Sequence, residues 1–152
     1  MFLDKLGVMN LRCFMENYTT TLGDRIYVPF EIGGDEKSLV TQLAICTHEH
    51  QHVCQWRKDK TGFIIRYLAD RAQRALYEAE AMLSSLETYA MFGETRDARK
   101  LADKLKHYNC NKDDREVAYK AIALGLQSMK AGGVTTKAGR IGVRWLESRL
   151  AD

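Results

Sequence analysis

Three of the chain's four histidines fall within five positions, as His48, His50 and His52, with Glu49 among them. Residues 48–52, His48-Glu49-His50-Gln51-His52, spell H-E-x-x-H. On a helix each residue turns by about 100°, so His48 and His52 lie about 40° apart, one turn above the other. Two imidazoles stacked in this way can share one metal ion. Glu49 lies about 100° round from His48, badly placed to ligate but able to reach a water held by the metal. Zn2+ suits two neutral imidazoles and a carboxylate, with a fourth position open to water. It lowers that water's pKa towards neutrality, and a nearby carboxylate can take the proton and pass it on. Chance produces H-E-x-x-H in roughly 1% of sequences with this histidine and glutamate content. The segment around it is otherwise apolar and helix-like, where two imidazoles and a carboxylate without partners would be costly to bury. The competing reading is a polar stripe facing solvent.

Two ligands do not complete a site. The next helical region carries Tyr77-Glu78-Ala79-Glu80-Ala81. Glu78 and Glu80 are about 200° apart on a helix, so only one of them can face a given metal. H-E-x-x-H followed on a later helix by a glutamate with a small residue three positions on resembles the gluzincin metallopeptidases, in particular their smallest members, the minigluzincins. The resemblance covers roughly residues 25–92. It implies that His48 and His52 are histidine ligands, Glu49 the general base, and Glu78, with Ala81 three residues on, the glutamate ligand. Glu80 stays open as the alternative ligand. The chain departs from the pattern at Met82, where many family members carry an aspartate that supports a histidine ligand, so another partner is needed for His48 or His52. The resemblance also implies an edge strand above the motif helix that holds substrate by strand addition, which would fall on Arg25-Ile26-Tyr27-Val28; a plain core strand is the alternative.

A rival set lies on the same helix. Cys46, His50 and Cys54 are spaced four and four, about 160° from the His48/His52 pair, and all three residue types can bind zinc. Cysteines at such spacing are more often small core residues. An electrophile to stabilise an oxyanion is also wanted, and Tyr67, Tyr77, Tyr89, His107 and Tyr108 all remain open.

These residues must be positioned by a recognisable set of elements. Residues 8–18 alternate loosely, and a Gly-Asp turn at residues 23–24 precedes a strand that Pro29 ends or confines to an edge. Gly33-Gly34-Asp35 breaks the pattern, with Asp35 or Ser38 as a helix cap. A largely buried helix is expected over residues 37–58, punctuated by Lys60-Thr61-Gly62. A second helical region spans residues 63–92, bent or split near Ala69. A helical hairpin follows over residues 95–108 and 113–130, then a looser tail after Gly132-Gly133 and a short final helix over residues 143–150.

The expected fold is therefore α+β and zincin-like: one domain over residues 1–152, with a small, three-stranded antiparallel sheet packed on the motif helix in residues 1–95 and a basic helical extension over residues 96–152. The composition, 45% hydrophobic and 28% charged, is that of a globular domain. Residues 1–95 hold 10 basic and 13 acidic side chains, against 13 and 7 in residues 96–152. This asymmetry suits a solvated helical surface or a patch for an acidic partner, and without aromatic interleaving or a base-reading motif nucleic acid is not expected. Four cysteines without framework spacing read as free thiols of a reducing compartment. No apolar run approaches the roughly 20 residues of a membrane helix, and the opening MFLDKLGVMN lacks a signal peptide's apolar core, so a cytoplasmic protein is expected. The expected function is zinc-dependent hydrolysis of peptide or protein substrates. The alternative is an inactive zincin-like protein whose zinc is structural and whose basic C-terminal half binds a partner.

Overall fold

A computed structural model describes residues 18–150 of the 152-residue chain. The alternating stretch at residues 8–18 lies outside the described residues except for Tyr18. Two three-residue strands, β1 (Thr20–Leu22) and β2 (Arg25–Tyr27), form an antiparallel hairpin with Thr21 opposite Ile26. Gly23, at φ 66°, makes the turn in a backbone region that side chains disfavour. Pairing stops at Tyr27, ahead of Pro29. The loop that follows is fastened by one side chain. Gln42 donates to the carbonyls of Gly34 and Lys37 and accepts from the Gly33 N–H, each at 2.8 Å.

Every regular element after the loop is a helix among the described residues. Helix α1 (Leu39–Lys58) starts at Ser38, whose hydroxyl accepts from the Thr41 N–H. Helix α2 (Lys60–Ala69) follows directly, so Lys60-Thr61-Gly62 lies inside a helix and the break falls at Asp59. Asp70 ends α2 and caps α3 (Arg71–Met91), its carboxylate accepting from the Ala72 and Gln73 N–H groups. Helix α4 (Ala98–Asp103) runs into a 3-10 turn (Lys104–Tyr108) that ends on Asn109 in the left-handed region. Asn111 and Asp114 form a capping box at the start of α5 (Lys112–Lys130). Helix α6 (Lys137–Leu150) begins six residues earlier than the expected 143. Among the described residues no helix is long and apolar enough to cross a membrane.

The α+β, zincin-like expectation is overturned. The chain is mostly helical, with six α-helices and a single two-stranded hairpin among the described residues. The physical reason lies in residues 28–38, where a proline and two adjacent glycines leave a side-chain-pinned loop in place of a longer strand. The second helical region is split one residue from the expected position, at Asp70.

Helix α3 is the spine of the fold, packing α1 on one face and α5 with the 3-10 turn on the other. The α1–α3 contact is built from small and hydroxylated residues. Ser84 Oγ donates to the Thr47 carbonyl at 3.0 Å, Ser85 Oγ to the Ala44 carbonyl at 2.8 Å, and the Thr47 and Thr88 hydroxyls meet at 2.8 Å. The opposite face carries the hydrophobic core, in which Ala79, Met82, Leu83 and Leu86 pack against Leu105, Ala118 and Ile122. Gly125 lets α5 come close there, since a Cβ at that position would lie 2.3 Å from Leu83 Cδ2. The start of α6 is clamped to both other helices. The buried Glu87 carboxylate of α3 accepts from the Thr135 N–H at 2.6 Å, from the Thr136 N–H at 3.1 Å and from both threonine hydroxyls. Gln51 Oε1 of α1 accepts from the Ala138 N–H at 3.0 Å.

The close approach at Gly125 sets a test. Gly125→Val overpacks the α3–α5 contact and is expected to cost about 2–3 kcal/mol in chemical denaturation. Leu124→Ala, one residue away on an exposed face, is expected to stay within about 0.5 kcal/mol of the parent.

Candidate metal centre

The small-residue contact between α1 and α3 sets the two helices close enough for their side chains to converge. From α1, His48 Nε2 lies 3.5 Å from Glu78 Oε2, and His52 Nε2 lies 3.5 Å from Glu78 Oε1 of α3. The two imidazoles meet edge to face, with centroids 5.0 Å apart. One potential ligand atom from each of His48, His52 and Glu78 falls within 4.8 Å of the others, and these three make the one such group among the described residues. An ion bonded at about 2.0–2.1 Å to tetrahedral ligands spaces them about 3.4 Å apart, close to the separations seen here. Glu78 is 1% exposed, and its Oε2 is buried without a hydrogen-bond partner. An orphaned carboxylate oxygen facing an imidazole is a donor set that fits zinc.

The supporting contacts fix how these groups point. Gln55 Nε2 donates to the Tyr77 carbonyl at 3.0 Å and to Glu80 Oε2 at 2.8 Å, which turns its Oε1 to His52 Nδ1 at 2.8 Å. His52 therefore donates from Nδ1 and directs Nε2 at Glu78. Gln55 supplies the orienting partner that the departure at Met82 requires, while Met82 itself is buried in the hydrophobic core. Glu80 is exposed and bonds Gln55, away from the convergence, whereas Glu78 lies within it. Tyr67 of α2 donates its hydroxyl to Glu78 Oε1. Glu49, also buried, accepts from the Thr21 hydroxyl of β1 at 2.7 Å, and the same hydroxyl reaches the Glu49 carbonyl at 3.1 Å.

Burial opposes a charge on His52, but the Glu78 carboxylate, aided by Glu49 and the Gln55 contact, overrides it and raises the His52 pKa to about 9. Burial likewise opposes a charge on Glu78, and the two imidazoles outweigh it, holding the carboxyl well below its usual range. Burial and the Glu78 charge push the Tyr67 phenol far above its ordinary value, so it stays a donor.

A cleft of about 270 Å³ opens beside the cluster, lined by His48, Glu49, Thr19, Ser85 and Tyr108 among others. Tyr108 is thus the one residue of the five electrophile candidates that lines this cleft. Tyr67 is engaged by Glu78, Tyr77 accepts from Arg66 Nε at 2.9 Å, Tyr89 lies under the Arg96 guanidinium, and His107 is exposed. The rival residues Cys46, His50 and Cys54 form no ligand group. Burial raises both thiols, and burial with Arg57 and Lys137 lowers His50. Strand β2 does not line the cleft; Tyr18 and Thr19, which lead into β1, do. Two contacts to the candidate residues escaped the sequence reading. Gln55 stands three residues after His52, a spacing that helix geometry alone could have flagged. Thr21 carries no such signal, because its contact with Glu49 spans 28 positions.

No protein-family model, no curated protein and no solved structure matches this chain.

In metal-free protein the His52–Glu78 pair is expected to act as an ion pair. The His52 pKa is raised from 6.5 in the unfolded chain to about 9 in the folded one. Its stabilisation is therefore complete below 6.5 and lost as pH rises through about 9. Glu78, depressed, contributes above its ordinary range and loses that contribution as pH falls. Two-dimensional NMR of the imidazoles in chelator should show His52 titrating near 9, and Glu78→Gln should bring it to neutrality or below. A wild-type His52 titrating below neutrality would rule out this pairing.

Proposed function

We propose that the chain is a zinc-dependent hydrolase of peptide or related amide bonds. The observation that carries this reading is the convergence of His48, His52 and Glu78 beside a cleft that Glu49 also lines. His48, His52 and Glu78 would hold the ion. Zinc bound there would lower the pKa of a water and polarise the scissile carbonyl.

The chain's own residues do the rest. Glu49, steadied by Thr21, takes a proton from water in the cleft as the water oxygen bonds to the carbonyl carbon. It returns that proton to the departing nitrogen as the C–N bond breaks, which leaves a carboxylic acid and an amine. Burial and the charges of Glu78 and Glu49 raise the Tyr108 pKa, so its hydroxyl stays protonated and can donate to the developing oxyanion. Tyr67 and Gln55 keep Glu78 and His52 in register. Strand β1 pairs on one side with β2 among the described residues. Its other side, continuing from the cleft at Thr19, can take an extended peptide by backbone hydrogen bonds, which tolerates varied side chains.

The open cleft at His48 supports a hydrolase over a purely structural zinc clamp. A closed site needs about four protein ligands, and three converge among the described residues. The resemblance to gluzincins enters this proposal through the motif residues alone. A reducing cytoplasm completes the reading, where Cys46, Cys54 and Cys110 would persist as free thiols.

The test is metal content and peptide hydrolysis in the wild type and in Glu49→Gln. The wild type should bind one zinc ion, and His52→Ala and Glu78→Ala should lose it. Glu49→Gln should keep zinc and lose about 10²–10⁴-fold in kcat/KM. Tyr108→Phe should keep zinc and lose about 10–10²-fold, mostly in kcat. Equal hydrolysis by wild type and Glu49→Gln would eliminate the mechanism. Chelation should lower the Tm, and zinc should restore it.

A further inference from the structure

A second and larger cavity, about 720 Å³, lies where the end of α1, α2, α3 and the start of α6 meet. Four cations line it: Arg57 and Lys58 of α1, Arg66 of α2 and Lys137 of α6. Two carboxylates share the wall, and both are engaged. Asp59 pairs with Arg66, and Glu80 accepts from Gln55 at 2.8 Å. Arg57, Lys58 and Lys137 have no carboxylate partner among the described residues.

These cations share one space and are not strung along a surface. Arg57 and Lys137 come from helices far apart in sequence, yet both line this one cavity. The backbone on either side of Lys137 is held. Lys137 follows Thr135 and Thr136, which Glu87 holds, and precedes Ala138, whose N–H is held by Gln51. Gln51 spends its amide oxygen on that contact, which leaves its NH2 group as a neutral donor on the cavity wall. Cations held close together without counterions repel one another, and the arrangement is relieved by a bound anion. The volume lies within the roughly 300–1,000 Å³ of small-ligand sites, and the shape is concave.

We propose that this cavity binds a small polyanion of the phosphate class through Arg57, Lys58 and Lys137, separately from the metal centre. Phosphate oxygens accept several charge-assisted hydrogen bonds at once, which suits a guanidinium and two ammonium groups converging from two helices. The proposal does not depend on hydrolase activity. It also gives a role to one positive charge of the C-terminal third, Lys137.

The test is calorimetric titration of the full chain with sodium pyrophosphate, with inorganic phosphate as a weaker comparator, at near-physiological salt. Three proteins are compared: wild type, Arg57→Ala/Lys137→Ala, and a control, Lys120→Ala/Lys130→Ala. The control removes the same charge from exposed positions of α5 outside the cavity. All four side chains are exposed, so both variants should fold. Wild type and control should bind one pyrophosphate with matching affinity, and the cavity variant should bind at least about tenfold more weakly. Absence of saturable binding to the wild type would overturn the proposal. So would equal weakening in the control, which would mark a diffuse charge effect, or full binding by the cavity variant, which would place the anion at the metal centre.

Discussion

A single buried carboxylate sets the terms for this fold. Glu78 sits in the middle of α3 almost without solvent, and a bare charge there would cost several kcal/mol. Its surroundings are built to answer that cost. Two imidazoles lie 3.5 Å away, one on each oxygen, and a phenol donates to one of them. The three groups come from two helices, α1 and α2, so satisfying Glu78 fixes where both lie against α3. One oxygen still has no hydrogen bond. The cluster therefore calls for positive charge, and either a proton on His52 or a metal cation can provide it. The two compete, since an imidazole must give up its proton before that nitrogen can ligate.

Polar convergence of this kind gives little net stability, and the architecture places the hydrophobic work elsewhere. On the face of α3 away from α1, leucines, alanines, Met82 and Ile122 form an apolar core with α4 and α5. Helix α3 thus has two sides of different character. The apolar side holds it rigid, and the polar side uses that rigidity to aim Glu78. Met82 belongs to the first side, which is why it cannot orient a histidine. That task passes to Gln55 on α1 itself, backed by Glu80.

The convergence of His48, His52 and Glu78 was more legible than the fold. His48, Glu49 and His52 could be read because helix periodicity converts their spacing into geometry without tertiary information. That Glu78 and Glu80 face different ways follows from the same periodicity, but which of them faces the two imidazoles depends on how α3 is oriented. The fold class was misread because short alternating runs carry a weak signal. Residues 20–27 make a hairpin, but nothing local in that stretch says whether a third strand joins it. The early start of α6 was missed for a different reason. It depends on Glu87 and Gln51 capturing the backbone of Thr135, Thr136 and Ala138, across 48, 49 and 87 positions. Contacts of that range leave no local pattern. Thr21 on Glu49 belongs with them.

The character of α1 follows from what surrounds it. Its buried residues are Gln42, Thr47, Glu49, Gln51, His52 and Gln55 as much as Ala44, Val53 and Cys54. A helix buried against an apolar core on one side shows an apolar stripe, and α1 does not. Small hydroxylated residues of α3 flank it on one side, the hairpin's Thr21 on another, Glu78 on a third and the cationic cavity towards its end. Each neighbour asks for hydrogen-bonding groups, so α1 answers with amides, hydroxyls and imidazoles around most of its circumference. Gln55 lies where two of these surroundings meet, touching His52 on one side and lining the cationic cavity on the other. The polar sequence of the motif helix is thus the packing requirement of a helix with polar surroundings on most sides, and it accounts for the weak amphipathic pattern in the segment that carries His48, Glu49 and His52.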